Sequence, residues 1–162
     1  MKTHIPFPAL ILGLAGLVPF WAPVAVSLWS VYGGPDYLVV SGLVYTAYAG
    51  LILSFLGGVR WGAEMNRNPD RPDGAVLAIS ILPSLQALIA AITHLVGQPV
   101  LAWFIIGVGL WAQFHWDQVG SETGALAPWY KSLRLILTLF ANLAAAAMIV
   151  IWVFLREGGS GG

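Results

Sequence analysis

Long apolar stretches separated by short polar connections make up most of the chain. The stretches are roughly twenty residues long, and they cover residues 7–31, 37–59, 75–96, 100–116 and 132–155. A helix needs about twenty apolar residues to cross a bilayer, whereas strands of a membrane barrel alternate apolar and polar residues. The pattern therefore predicts an all-α integral membrane bundle of five transmembrane helices, in a single domain over residues 1–157.

The composition agrees with a membrane location, favours membrane lipids as neighbours and argues against nucleic acid as a partner. Hydrophobic residues make up 59% of the chain and charged residues only 9%, whereas a soluble domain carries about 25% charged residues. A chain of 162 residues cannot hide so much apolar surface in one core, so we expect membrane lipids around it. Formal net charge is zero, which argues against nucleic acid as a partner.

The Lys and Arg side chains are distributed unevenly between the two sides of such a bundle. With five spans, the N-terminus shares one side with the second and fourth connections, and six of the seven basic residues fall there. They are Lys2, Arg60, Arg67, Arg71, Lys131 and Arg134. Cytoplasmic loops carry the excess of basic residues, so we expect a cytoplasmic N-terminus and a C-terminus outside. Residues 158–162, rich in Gly and Ser, are typical of a flexible tail.

Small residues recur at every fourth position of the second stretch. They are Gly42, Thr46, Gly50, Ser54, Gly58 and Gly62. Such spacing lets a neighbouring helix approach closely in lipid, although four residues exceed one turn of 3.6, so the stripe drifts around the helix. Both packing within the chain and association with another membrane protein or a second copy fit the pattern. The helix-packing candidates are Gly50, Ser54, Gly57, Gly58 and Gly62.

Polar and charged side chains near the predicted cytoplasmic ends of the helices form a candidate binding site. The candidates are Arg60, Glu64, His115, Asp117, Tyr130 and Arg134. In a five-helix bundle they can converge on one mouth, where they would suit an anionic headgroup, a carboxylate or a proton relay. The alternative is that they anchor helix ends at the membrane surface, as long charged side chains and aromatic residues do.

Catalytic and metal-binding patterns are absent from the sequence. The chain has no cysteine, and its three histidines, His4, His94 and His115, are too far apart along the helices to share one metal. The sequence contains no HExxH, P-loop, GxGxxG or Gly-x-Ser-x-Gly motif. We therefore predict no catalytic residues, no metal site and no cofactor, and expect a protein that is not an enzyme.

Residues 52–62, Ile-Leu-Ser-Phe-Leu-Gly-Gly-Val-Arg-Trp-Gly, resemble the signature of a known family, as do residues 5–6, 12–20 and 129–138. The family is catalogued as domain of unknown function 3429 and comprises transmembrane protein 69-like small multi-pass membrane proteins. The resemblance implies a bacterial or mitochondrial inner membrane and supplies no activity. We expect the bacterial inner membrane, because no Arg- and Ser-rich transit segment precedes the first stretch.

Two functional hypotheses follow from these patterns. The first is a non-enzymatic accessory or assembly subunit of a larger membrane complex, which acts through helix packing. Its partners would be other integral membrane proteins, or a second copy bound through the second helix. The alternative is a small transporter, channel or lipid-binding protein with a polar site at the cytoplasmic mouth.

Overall fold

A computed structural model describes residues 4–32 and 36–158, with side chains up to Phe154 in the last helix. Over these ranges the chain is helical, with helices α1 Phe7–Ala15, α2 Val18–Val31, α3 Leu38–Arg67, α4 Gly74–Leu95, α5 Pro99–Glu122 and α6 Pro128–Gly158. Five segments are long and apolar enough to cross a membrane, because α1 and α2 together form the first. The predicted all-α bundle of five spans is confirmed. The orientation of the termini stays a prediction, and residues 159–162 of the predicted tail lie outside the described residues.

The first span is interrupted between α1 and α2. Pro19 has no backbone N–H, and its ring would clash with the carbonyl of Ala15 in a continuous helix; α1 ends at Ala15. The Gly16 carbonyl at the break accepts a hydrogen bond of 2.8 Å from the Tyr48 hydroxyl of α3. The interruption is therefore held against the neighbouring helix.

Helices α3, α5 and α6 extend beyond the predicted spans at one end of the bundle. Helix α3 ends at Arg67 rather than at residue 59, and α5 ends at Glu122 rather than at residue 116. Helix α6 begins at Pro128 rather than at residue 132. We call this end, where α3 and α5 finish and α6 begins, the basic end. Its polar side chains lie within packed helices rather than in surface loops.

Helix α3 packs against α2, α4 and α5, and α6 packs against α5 and α2. Tyr45, Leu53, Trp103, Ile106 and Met148 are among the large side chains that the bundle encloses completely. The closest approach to α4 occurs at Gly57, where a Cβ atom would collide with the Ser80 carbonyl oxygen. At Gly50, a Cβ atom would lie 3.5 Å from the Ala87 Cβ. These two glycines therefore pack within the chain.

The remaining candidate packing positions of α3 are less buried than Gly50 and Gly57. Ser54 is half-buried, whereas Gly58 and Gly62 are exposed and a Cβ atom at either would meet nothing within 4 Å. Each four-residue step turns about 40° beyond a full turn, so Gly58 lies about 160° around the helix from Gly42. Gly58 and Gly62 therefore do not pack closely within the described residues, and their role in helix packing stays a prediction.

Candidate functional site

Three of the predicted site residues meet inside the basic end of the bundle. Arg60 comes from α3, Asp117 from α5 and Arg134 from α6. The Arg134 Nε donates a hydrogen bond of 2.8 Å to the Asp117 Oδ2, and these side chains are only 4% and 1% exposed. Membrane helices place ionisable side chains toward the bundle interior and pair them. The pair therefore joins α5 and α6 where water is excluded.

Arg60 lies on the α3 side of this ion pair. Its guanidinium carbon is 4.4 Å from the centroid of a Trp116 ring, a cation–π geometry, and its charge interacts with that of Asp117. A Cβ atom at residue 120 would overlap the Arg60 Nη1. Gly120 therefore leaves the space that the guanidinium needs against α5.

Unpaired polar atoms concentrate at this place. Among the described residues, the buried side-chain atoms without a hydrogen-bond partner are Arg60 Nε and Nη1, Gln113 Oε1, Asp117 Oδ1, Arg134 Nη2 and Thr138 Oγ1. We call these five residues the basic-end cluster. Buried polar groups are nearly always paired, and leaving one unpaired costs about 1–3 kcal/mol. The cluster therefore has hydrogen-bonding capacity that protein contacts do not use.

An apolar cavity of about 290 Å³ adjoins the cluster. Its walls come from α1, α2, α3, α5 and α6, and apolar side chains such as Leu56, Leu110 and Leu137 make up most of them. Arg134 and Thr138, which carry two of the unpaired atoms, also line it, together with Tyr130. The cavity therefore combines an apolar body with a polar patch. We call it the lateral cavity.

A second cavity of about 320 Å³ lies between α4 and α5. Gln113 and Trp116 line it, so it borders the basic-end cluster from the opposite side of α5. Gln86 also lines it and donates a hydrogen bond of 2.8 Å to the Ile105 carbonyl. Gly109 makes room for this amide, because a Cβ atom there would lie 2.7 Å from the Gln86 Oε1.

Glu64 and His115 do not join the cluster. The Glu64 Oε1 accepts hydrogen bonds of 2.8 Å from the Asn68 side chain and from the Asp73 backbone N–H. It therefore fixes the α3–α4 connection, and among the described side chains it makes no ion pair. His115 is exposed, because two helical positions separate it from Asp117 and place it on roughly the opposite face.

Gln113, Trp116 and Thr138 belong to the site although the sequence did not single them out for it. Gln113 precedes Asp117 by four residues, and Thr138 follows Arg134 by four. Residues four apart share one helix face, so this spacing was a usable signal. Over residues 4–32 and 36–158, no group of three His, Cys, Asp or Glu side chains is placed to hold a metal ion.

A different polar network lies at the opposite end of the bundle. The Thr46 Oγ1 is 2.7 Å from the His94 Nδ1, accepts a hydrogen bond of 2.9 Å from the Trp103 Nε1 and donates one of 2.9 Å to the Gly42 carbonyl. All three side chains are buried. These hydrogen bonds join α3, α4 and α5. We call Thr46, His94 and Trp103 the far-end network.

Comparison with known proteins identifies the family. The sequence model of a family described as "Protein of unknown function (DUF3429)" matches residues 5–150. The chain belongs to this family. Transmembrane protein 69 of Xenopus tropicalis is 37% identical over 147 residues, which cover 90% of this chain and 54% of that protein. Transmembrane protein 69 of Mus musculus is 31% identical over 150 residues, covering 90% and 57%. This DUF3429 chain spans about half the length of these curated relatives.

No solved structure matches this DUF3429 protein. The predicted family resemblance is confirmed, and the chain is a multi-pass membrane protein of a family without a stated activity. Its most specific motif is Gly-Gly-Val-Arg-Trp-Gly at residues 57–62, and its residues lie on two different faces of α3. Gly57 and Arg60 face the bundle interior, whereas Gly58, Trp61 and Gly62 are exposed.

Proposed function

We propose that this multi-pass membrane protein binds one amphipathic lipid molecule in the lateral cavity. The hydrocarbon part lies against the apolar walls, and the polar part contacts Arg134 and Thr138. One observation carries the proposal. The buried and unpaired Arg134 Nη2 and Thr138 Oγ1 belong to residues that line an otherwise mainly apolar cavity. Binding sites for small ligands typically combine such apolar walls with a few placed polar groups.

The shape of the cavity favours a lipid over a water-soluble ligand. Leu12 and Phe55 line it and are 73% and 65% exposed, so the cavity reaches the surface that faces hydrocarbon. Its volume of about 290 Å³ is near the lower end of ligand pockets, about 300–1,000 Å³. It accommodates part of one acyl chain, while the rest of the lipid stays in the bilayer.

Binding suits the cavity better than conduction. A conduction path needs polar groups along its length, whereas most side chains that line this cavity are apolar, Phe20, Leu110 and Ala141 among them. The proposed role is accordingly binding rather than transport or catalysis. It belongs to the lipid-binding class of the alternative predicted from the sequence.

A matched pair of tryptophan substitutions tests the proposal. Leu137→Trp fills the lateral cavity, because Leu137 lines it. Leu139→Trp adds the same bulk to an exposed position of α6, where Leu139 is 42% exposed. Native mass spectrometry of the detergent-purified protein with a phospholipid should show one retained lipid in the wild type and in Leu139→Trp, and none in Leu137→Trp. Equal lipid retention by all three proteins would contradict the proposal.

A second candidate function is that of an accessory or assembly subunit, which acts through helix packing. The specific observation is that Gly58 and Gly62 lie on an exposed face of α3, where an added Cβ atom would meet no described residue within 4 Å. Small residues four apart let a foreign helix approach closely in lipid. Bacterial inner membrane remains the proposed location, and the relatives named above come from Xenopus tropicalis and Mus musculus.

Mass measurement in mild detergent tests this second candidate. The wild type should purify as a complex with another membrane protein or with a second copy. Gly58→Leu should release a monomer of unchanged thermal stability, because nothing within the chain contacts that position. Gly74→Leu, at an exposed glycine of α4 where an added Cβ atom also meets nothing within 4 Å, is the control that should keep the complex. A wild-type protein that is already monomeric and alone would rule out this role.

A further inference from the structure

Positive charge exceeds negative charge in the basic-end cluster. Arg60 and Arg134 each carry one positive charge, and Asp117 carries the single negative charge among these five residues. All three side chains are buried, with 7%, 3% and 1% of the residue exposed. The cluster therefore has one more positive than negative charge on side chains that the protein shields from water.

Neighbouring carboxylates do not supply the missing charge directly. The Glu64 Oε1 accepts hydrogen bonds from the Asn68 side chain and the Asp73 N–H. Its charge interacts with that of Arg60, but among the described residues the two side chains form no ion pair. Glu122 pairs with Lys131 in an exposed ion pair of 2.9 Å, which is neutral as a unit. Trp116 faces Arg60 but offers only the weak attraction of an aromatic ring.

Buried charges are costly unless a partner of opposite charge and hydrogen bonds compensate them. Among the cluster residues, Arg134 and Thr138 line the cavity, and the unpaired atoms of these two residues can donate. The Arg134 Nη2 can only donate, and the Thr138 hydroxyl can do so as well. An anionic oxygen at this place would accept both hydrogen bonds and balance the excess charge.

We propose that the ligand of the lateral cavity is a lipid whose headgroup carries one net negative charge. Arg134 and Thr138 bind its anionic oxygen, and Arg60 supplies the second positive charge that makes the cluster cationic. This inference rests on the proposed lipid-binding function and specifies its ligand class. Carboxylate and phosphodiester headgroups share the required chemistry, and charge complementarity is what selects them over zwitterionic and neutral lipids.

Competition among lipids with identical acyl chains tests the inference. The probes are phosphatidylglycerol with one net negative charge, zwitterionic phosphatidylcholine and neutral diacylglycerol, and retention is counted by native mass spectrometry. Both phospholipids offer an anionic phosphodiester oxygen, but the choline cation cancels its charge in phosphatidylcholine. The uncompensated negative charge of phosphatidylglycerol therefore predicts about tenfold preference for it. Inorganic phosphate alone should stabilise the protein no more than chloride at equal ionic strength, because it lacks the hydrocarbon part.

Charge variants separate the buried cluster from the charged surface. Arg60→Gln removes one positive charge and should reduce the preference for phosphatidylglycerol several-fold, whereas Asp117→Asn removes the negative charge and should raise it. Lys131→Gln removes a positive charge that is partly exposed on the same end, and it should leave the preference unchanged. The wild-type preference should also persist at about 1 M salt, where exposed charges are screened within about 3 Å.

The outcomes distinguish this inference from the proposed function beneath it. Equal retention of the three lipids, with loss of all three in Leu137→Trp, would overturn the anionic assignment and leave the lipid site standing. If Leu137→Trp retains as much lipid as the wild type, the proposed lipid site in the lateral cavity is contradicted as well. If Asp117→Asn does not fold, the lipid preferences of Arg60→Gln and Lys131→Gln are sufficient for the test. An equal preference for phosphatidylglycerol in these two variants overturns the inference.

Discussion

The two ends of the bundle each bury polar side chains from several helices, but they pair them differently. In the far-end network, the Thr46 hydroxyl, the His94 Nδ1 and the Trp103 Nε1 all take part in hydrogen bonds. In the basic-end cluster, six buried atoms have no partner among the described residues. Burial of polar groups is common to both ends, so the difference lies in how completely each end satisfies them.

This difference separates a structural role from a binding role. A closed network stabilises the contact of α3 with α4 and α5, since interhelical hydrogen bonds help to hold membrane helices together. An incomplete cluster beside a cavity costs stability in the absence of a ligand. The comparison therefore assigns helix association to the far end and ligand binding to the basic end.

The largest effect should come from Arg134→Ala, which leaves the Asp117 carboxylate buried without its ion-pair partner. Removing one partner of a buried ion pair costs about 3–5 kcal/mol. Thermal or denaturant unfolding in detergent measures the loss. Lys131→Ala breaks an ion pair whose side chains are 43% and 65% exposed, and it should cost at most about 1 kcal/mol. A similar loss in both variants would show that the basic end is not a dry site.

An intermediate effect should come from a methyl group added at a glycine of each end. At Gly42 the new Cβ would lie 3.1 Å from the completely buried Trp103 ring, so Gly42→Ala should destabilise the protein by about 1–2 kcal/mol. At Gly120 it would meet the end of the flexible Arg60 side chain.

Gly120→Ala should therefore change stability by less than about 1 kcal/mol, because alanine also favours the helix, and should instead weaken the preference for anionic lipid by displacing Arg60. Unfolding curves and lipid retention measured on both variants provide the check. If Gly120→Ala loses more stability than Gly42→Ala, the assignment of ligand binding to the basic end and helix association to the far end is contradicted.

Much of the fold could be predicted from the lengths of the apolar stretches and from the four-residue spacing of small residues. The five spans follow from apolar stretches that only a bilayer accommodates. The drift of the four-residue stripe explains why Gly50 packs against α4 while Gly58 does not. The helix ends could not be placed, because α3 and α5 continue through polar residues that the bundle buries.

The site was only partly predictable for the same reason. Whether Arg60 anchors a helix end or enters the interior depends on Trp116 and Gly120 of another helix, and local sequence carries no information on that contact. The exposed position of His115 was foreseeable. Residues two apart lie on roughly opposite faces of a helix, so His115 and Asp117 cannot both point into the bundle. The lateral cavity is lined by residues on both sides of the break between α1 and α2 and by residues of α3, α5 and α6, so only the tertiary structure reveals it.

The most direct test makes the same substitution at the two ends. Thr46 and Thr138 are both buried, at 4% and 1% exposure, but only the Thr46 hydroxyl has partners. Unfolding temperature is measured for Thr46→Val and Thr138→Val with and without phosphatidylglycerol. Thr46→Val should lose about 1–2 kcal/mol and keep the stabilisation by lipid. Thr138→Val should instead gain lipid-free stability, because it removes an unpaired buried hydroxyl, and should lose most of the stabilisation by lipid. If the two variants behave alike, or exchange these outcomes, the division of roles between the two ends is contradicted.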